Sequence, residues 1–282
     1  MIKWLANILM KNLLDNIHRP LLVSLTSLIV VSVCLILGLQ FLSSEDPVDP
    51  ELVNDHDPVN VFPDFTSIQS VAVKKQQFLD YLQDYIVAEN TAIEALRKEL
   101  ESYADISNSG LTFSPRERRW VLSLAEAYRM ELSQFASDQD IINELILRVD
   151  VIPVSLALAQ AANESAWGTS RFALEGNNVF GQWCYKKGCG IVPAERRSGA
   201  THEVKSFTSV ERSVQAYILN INSHPSYSYL REVRAVMRER QGRLDPMGLA
   251  YGLDRYSERG NNYVDEVRNL IIQNNLRLRD EG

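Results

Sequence analysis

Several things are missing from this 282-residue sequence, and each absence narrows its reading. Positive charge is not in excess. Its 29 Lys and Arg face 36 Asp and Glu, a net charge of −7, and no face gathers the basic residues, which argues against a nucleic-acid partner. Histidine is scarce: His18, His56, His202 and His224 are scattered without a ligand spacing, so neither a metal nor a cofactor is expected. Only three cysteines occur. Cys34 sits in an apolar run, while Cys184 and Cys189 bracket Tyr-Lys-Lys-Gly. Such a pair suggests metal or redox work in the cytosol and a small disulfide loop outside it. No internal repeat is present.

Charge of either sign is absent from Leu21 to Leu42, about 22 residues, enough to cross roughly 30 Å of hydrocarbon as a helix. Lys3, Lys11 and Arg19 precede this run and Glu45, Asp46 and Asp49 follow it, which places residues 1–20 in the cytoplasm and the rest outside. The run is too long for a signal-peptide core and lacks a clean small-residue cleavage site, so an uncleaved single-pass anchor at 21–42 is expected. Four prolines and many acids then make 43–66 an extended, disordered linker.

From Ser67 to Ala104 the apolar residues Phe78, Leu82, Tyr85, Ile86, Ile93, Leu96 and Leu100 recur at helical spacing, broken by Ser107–Gly110. Ser114, Pro115 and Glu117 form a helix-start signature for a helix to about Ser133. Ser137 and Asp138 cap another over Ile141–Val149, and Pro153 opens a helix that Gly168 ends. Residues 67–135 are thus expected as a helical subdomain and 136–282 as a second domain. In the latter, Asn177–Val192 reads as loops and a hairpin closed by Lys-Lys-Gly, and Thr201–Phe207 as a strand. Helices follow at Ser209–Ile221, Tyr229–Gln241 and Tyr263–Leu276. The fold class is α+β, mostly helical with a small β patch.

One residue in the Pro153 helix carries chemistry. Ala161-Ala162-Asn163-Glu164-Ser165 places a carboxylate near the C-terminal end of a helix of small apolar residues. Apolar walls and the negative helix end both penalise ionisation, so its pKa should rise, as a general acid for a glycosidic oxygen requires.

The run AQAANESAWGTSRFA, followed by NNVFGQW, THEVKSFTSVERSVQAYI and YGLDRYSERGNNYVDEVRNLI, resembles the glucosaminidase-type peptidoglycan hydrolases, which include flagellar muramidase domains and several autolysins. Four motifs in order cover about half the chain, and the insertion WCYKKGCGIVP brings the text nearest to the Bax proteins of Gram-negative bacteria. The resemblance implies a lysozyme-like domain over 136–282 and peptidoglycan glycan strands as substrate; independently of it, the expected anchor and its flanking charges imply a periplasmic location on the inner membrane. The resemblance also implies Glu164 as general acid and Glu203 as the second carboxylate, a base or charge stabiliser. Either Tyr256 or Tyr263 would be the tyrosine near the catalytic centre, because Ser257-Glu258-Arg259-Gly260 replaces the family's usual stretch between them. Trp167, Asn178, Phe180, Gln182, Trp183 and Tyr185 are candidates to line sugar subsites or to pack beneath them. Cleavage next to N-acetylglucosamine is the leading expectation. A muramidase, a lytic transglycosylase or a non-catalytic glycan-binding scaffold are the alternatives.

Overall fold

The computed structural model describes residues 62–280 except 110, 111, 195, 197 and 198. The expected cytoplasmic start at 1–20, the expected anchor at 21–42 and most of the expected linker lie outside the described residues. Among the described residues no helix is long and apolar enough to cross a membrane.

The linker expected to be disordered as far as 66 is ordered over its described residues, from Phe62 on. Phe62 and Phe65 are 6% and 2% exposed and pack edge-on against each other and against Tyr81. Asp64 caps the short 3-10 turn Phe65–Ser67 by accepting from the Thr66 backbone N–H. Two phenylalanines among prolines and acids bury enough apolar surface to order the segment locally.

Helix α1 (Val71–Asn108) begins at the Ser70 cap and buries Phe78, Leu82, Ile86, Ile93 and Leu100 along one face, as their spacing predicts. Helix α2 (Pro115–Ala127) opens on a full capping box: Glu117 N–H donates to Ser114 Oγ at 3.3 Å, and Ser114 N–H donates to Glu117 Oε2 at 2.6 Å. It stops well short of Ser133, because Arg129 adopts a left-handed φ of 57° and Met130 N–H bonds back to Ala125. Helices α3 (Asp138–Arg148) and α4 (Val154–Glu164) follow, then the short α5 (Arg171–Gly176).

Strands β1 (Trp183–Cys184), β2 (Gly190–Ile191) and β3 (Glu203–Lys205) form a three-stranded antiparallel sheet in the order β1-β3-β2. This corrects the expected hairpin: β1 and β2 do not pair with each other but flank β3, with Cys184 opposite Glu203 and Ile191 opposite Val204. Helices α6 (Val210–Ser223), α7 (Ser228–Gln241), α8 (Pro246–Leu249) and α9 (Asn261–Gln273) complete the chain.

One hydrophobic core runs from Phe62 to Leu276, so residues expected as a subdomain and a domain share a single interior. Helix α4 is its axis. Every residue from Val154 to Ala162 is buried, and α1, α9 and the 3-10 turn Leu276–Asp280 all pack on it. Asp280 holds the start of α4, accepting from the Ser155 N–H at 2.8 Å and the Ser155 hydroxyl at 2.6 Å. Just before α4, Asp150 is buried among Arg97, Arg234 and Arg238, at 3.5, 3.5 and 2.5 Å. Arg234 has no exposed surface and also donates to the Leu147, Asp150 and Val151 carbonyls and to Asn222. Burial pushes the Asp150 pKa up, but the arginines outweigh it and hold the carboxyl below the usual 3.8.

Candidate active site

Glu164 is the last helical residue of α4, four positions earlier than the stop expected at Gly168. The Ser165 hydroxyl donates back to the Ala161 carbonyl at 2.6 Å and accepts from Gly168 N–H at 2.9 Å. Between them Ala166, Trp167 and Gly168 take φ of 50°, 59° and 76°. A left-handed run that includes two non-glycine residues is costly and is held in place by its surroundings. A Cβ on Gly168 would stand 2.6 Å from Phe65 and 2.9 Å from Phe78, so the segment before α1 locks the turn that follows the acid. Trp167 belongs to that lock: its ring lies edge-on to Phe78, with the Lys75 ammonium 4.4 Å above it.

The Glu164 carboxylate is asymmetric. Oε1 is buried without a hydrogen-bond partner. Oε2 lies toward Gly181, where a Cβ would come within 3.1 Å of it. Gly181 also needs its φ of 64°, so glycine meets both a turn and a close approach at this position. Burial raises the Glu164 pKa above its ordinary value. A hydrogen bond from Tyr263 and the charge of Arg259 oppose that rise, and Glu266 adds to it. Arg259 is itself paired with Glu266 at 2.5 Å and lies 5.3 Å from the Tyr263 ring.

The structure separates the two candidate tyrosines. The Tyr263 hydroxyl reaches Glu164, whereas the Tyr256 hydroxyl donates to the Phe180 carbonyl at 2.8 Å and ties the Asn178–Gly181 turn in place. Their rings stack at 5.4 Å. Tyr217 and Tyr227 pack against Tyr256. Tyr217 also stacks on Phe180 at 3.8 Å. This aromatic wall strips water from the acid, and burial pushes all these phenols up, Tyr227 to about 12.

Asn178 and Phe180 hold this turn from inside. Asn178 is 1% exposed and all four of its amide positions are engaged. It donates to the Gln182 and Lys205 carbonyls and accepts from the Phe180 and Gln182 N–H groups. Phe180 is buried under Tyr217. Gln182 is half-buried and donates to the Ser213 carbonyl at 3.0 Å. The next aromatics are open. Trp183, 53% exposed, stacks on His202 at 4.1 Å, and Tyr185 is 71% exposed. Two residues span at most about 7 Å of chain, so Trp183 stands close to the Gly181 backbone that abuts Glu164.

Glu203 sits on β3 and works on the loop between the cysteines. Its Oε1 accepts from Gly188 N–H at 3.0 Å and its Oε2 from Gly190 N–H at 2.9 Å. These bonds hold its pKa below the ordinary carboxylate value. Gly190 has no room for a side chain, since a Cβ there would lie 1.9 Å from the Val204 carbonyl. Cys184 and Cys189 form a disulfide across this loop. Together with Glu203 they bring ligand-type atoms within 4.8 Å of one another. Both sulfurs are committed to their bond, however, and both oxygens to backbone N–H groups, so the cluster is a structural knot and not a donor set.

Gln160 and Tyr217 were not singled out from the sequence. The signal was one amide in a helix otherwise of Ala, Leu and Val: Gln160 is wholly buried, accepts from the Tyr217 hydroxyl at 2.6 Å and donates to the Tyr263 hydroxyl at 3.0 Å.

A carboxyl group whose pKa is raised by burial in a wall of tyrosines suits the chemistry of a glycoside hydrolase. The chain belongs to the glucosaminidase-domain family: residues 139–276 match the family model described as mannosyl-glycoprotein endo-beta-N-acetylglucosaminidase. It is 35% identical over 217 residues to Protein bax of Escherichia coli (strain K12), a match covering 77% of this chain and 75% of that protein. The expected nearness to the Bax proteins is thereby borne out. No solved structure matches the chain.

Proposed function

We propose that this protein is an endo-β-N-acetylglucosaminidase of the peptidoglycan glycan strand, anchored in the inner membrane through residues 21–42, with residues 62–280 in the periplasm. The carrying observation is Glu164. Burial, with Oε1 left without a hydrogen-bond partner, raises its pKa and so favours the protonated form that a general acid needs. Glu164 protonates the glycosidic oxygen as the bond to the anomeric carbon breaks. The carboxylate then takes a proton from the water that completes hydrolysis. Trp183 and Tyr185 offer faces on which pyranose rings stack.

Glu203 is a poor base where it stands, because two N–H bonds lower its affinity for a proton. We assign it to ordering the loop that carries Tyr185. The substrate's own acetamido oxygen then attacks the anomeric carbon, forming a cyclic oxazolinium that water reopens. The location rests on the charge-free 21–42 run and its flanking charges, which put the rest of the chain on the side where peptidoglycan lies.

Digestion of purified peptidoglycan by the full chain, with mass analysis of the fragments, tests this reading. Reducing N-acetylglucosamine ends, lost in Glu164→Gln, are expected. Anhydro ends would identify a lytic transglycosylase, and binding without cleavage a scaffold. Inhibition by a thiazoline analogue of N-acetylglucosamine is expected if the acetamido group is the nucleophile. Indifference to it, with Glu203→Gln inactive yet folded, would return the base role to Glu203.

A further inference from the structure

We propose that the disulfide loop Cys184–Cys189 is a specificity element that reads the carboxylates of peptidoglycan's peptide stems through Lys186 and Lys187. The proposal deepens the hydrolase reading and rests on it.

The loop is held at several points. The disulfide closes its ends, Cys189 N–H donates to the Lys186 carbonyl at 3.1 Å, and Glu203 accepts from the Gly188 and Gly190 N–H groups at 3.0 and 2.9 Å. Gly188 supplies the left-handed φ of 81° that this turn needs. Ordering a loop this firmly costs conformational entropy, and little packing is returned for it. Among the described residues none from Gly181 to Ser209 joins the hydrophobic core, and a Cβ on Gly188 would meet nothing within 4 Å. A rigid loop outside the core holds its exposed side chains in a fixed arrangement, which lowers the entropy lost when they bind something.

Those side chains are Tyr185, 71% exposed, and the exposed Lys186 and Lys187. The two lysines are the only charged residues between Gly176 and Ala194, in a chain whose net charge is −7. Neither ammonium pairs with an acid among the described residues. They are therefore free to meet an anion brought from outside. The sugars of peptidoglycan are uncharged where stems are attached, and the free carboxylates belong to the short peptides that hang from alternate sugars. Position suits them as well. A Cβ on Gly181 would stand 3.1 Å from Glu164 Oε2, and Lys186 follows five residues later, at most about 18 Å along the chain. A stem of about five residues reaches as far. With Trp183 and Tyr185 beneath the sugars, a stem beside the scissile bond comes within range of both lysines. Two lysines make only a weak anchor to an anionic membrane, so the stem is the better match than a lipid headgroup.

The test offers the full chain two substrates: soluble stem-bearing glycan chains, and the same chains with their stem carboxylates converted to neutral amides. Affinity is measured in Glu164→Gln, which keeps both substrates intact, and kcat/KM in the parent. The acidic chains should bind more tightly and be cut faster. Lys186→Gln combined with Lys187→Gln should reduce that preference about 3- to 10-fold, the range that two exposed ion pairs allow. Lys186→Arg with Lys187→Arg should keep it, and raising the salt from about 0.05 M to about 0.5 M should erase it. Cys184→Ser with Cys189→Ser should weaken it although both lysines remain. A parent without the preference, or a preference that the glutamine variants retain, overturns the proposal. So does a loop whose lysines matter only for binding to phosphatidylglycerol vesicles. If the parent cuts neither substrate, the hydrolase reading fails, while the ratio of affinities still decides whether the loop reads stems.

Discussion

Two carboxylates bracket helix α4, one buried and one half-buried, and they have opposite fates. Asp150, just before the helix, is surrounded by Arg97, Arg234 and Arg238 and stays ionised, its pKa depressed. Glu164, at the last helical turn, has one hydroxyl, one distant cation and a free oxygen, and its pKa is raised. Burial acts the same way on both. The number of full charges within bonding distance decides the sign, so one acid is a structural anion and the other is suited to the proton-donor role proposed for it.

The comparison can be broken most forcefully at Glu164 itself. Glu164→Gln should lower kcat by about 10²- to 10⁴-fold, the usual range for a lost general acid, without unfolding the protein. A normal melting curve beside an inactive enzyme would show it; an active variant would remove Glu164 from the chemistry. Asp150→Ala should do the reverse. It strands the wholly buried Arg234 guanidinium and should cost about 3–5 kcal/mol of stability in urea unfolding. If it costs less than about 1 kcal/mol, the arginine cluster is more hydrated than its burial indicates.

Acid and base sharpen the contrast. Asp150 has a depressed folded pKa, so its stabilisation is present above the unfolded value near 3.8 and is lost as pH falls through the folded value. Glu164 has a raised folded pKa, so its contribution is complete below the unfolded value near 4.5 and is lost as pH rises through the folded value. Unfolding followed from pH 3 to pH 9 should therefore find Asp150→Asn without part of the acid-side loss. The smallest effect belongs to Glu164→Gln, about 1 kcal/mol more stable than the parent at pH 8 because it cannot ionise against the aromatic wall. Equal stability there would mean that the acid is better solvated than its free Oε1 suggests.

Much of the helical frame is legible from spacing alone, because it depends on local signals. The stripe from Phe78 to Leu100 and the Ser114–Glu117 cap act within a few residues of themselves. The sheet is not, since strands of two or three residues carry too little pattern to reveal that β3 lies between β1 and β2. Phe62 and Phe65 were hidden by the prolines and acids around them. At the site, Glu164 stands out as one carboxylate in an apolar helix. The commitments of Asn178 and Glu203 depend on partners up to 27 residues away in sequence. Arg234 reads as a surface charge on α7 until its distant partner Asp150 is known.

The disulfide has a mechanical meaning. Cys184 lies in β1 and Cys189 directly precedes β2, so it ties together two strands that share no hydrogen bond with each other, only with β3 between them. Edges this short would ordinarily fray independently, each a separate zipper of one or two bonds. Tied at their ends, they open together or not at all. Backbone amides on both sides of β3 should thus exchange with solvent at one common rate, and the loop bearing Tyr185 should move as a single rigid flap.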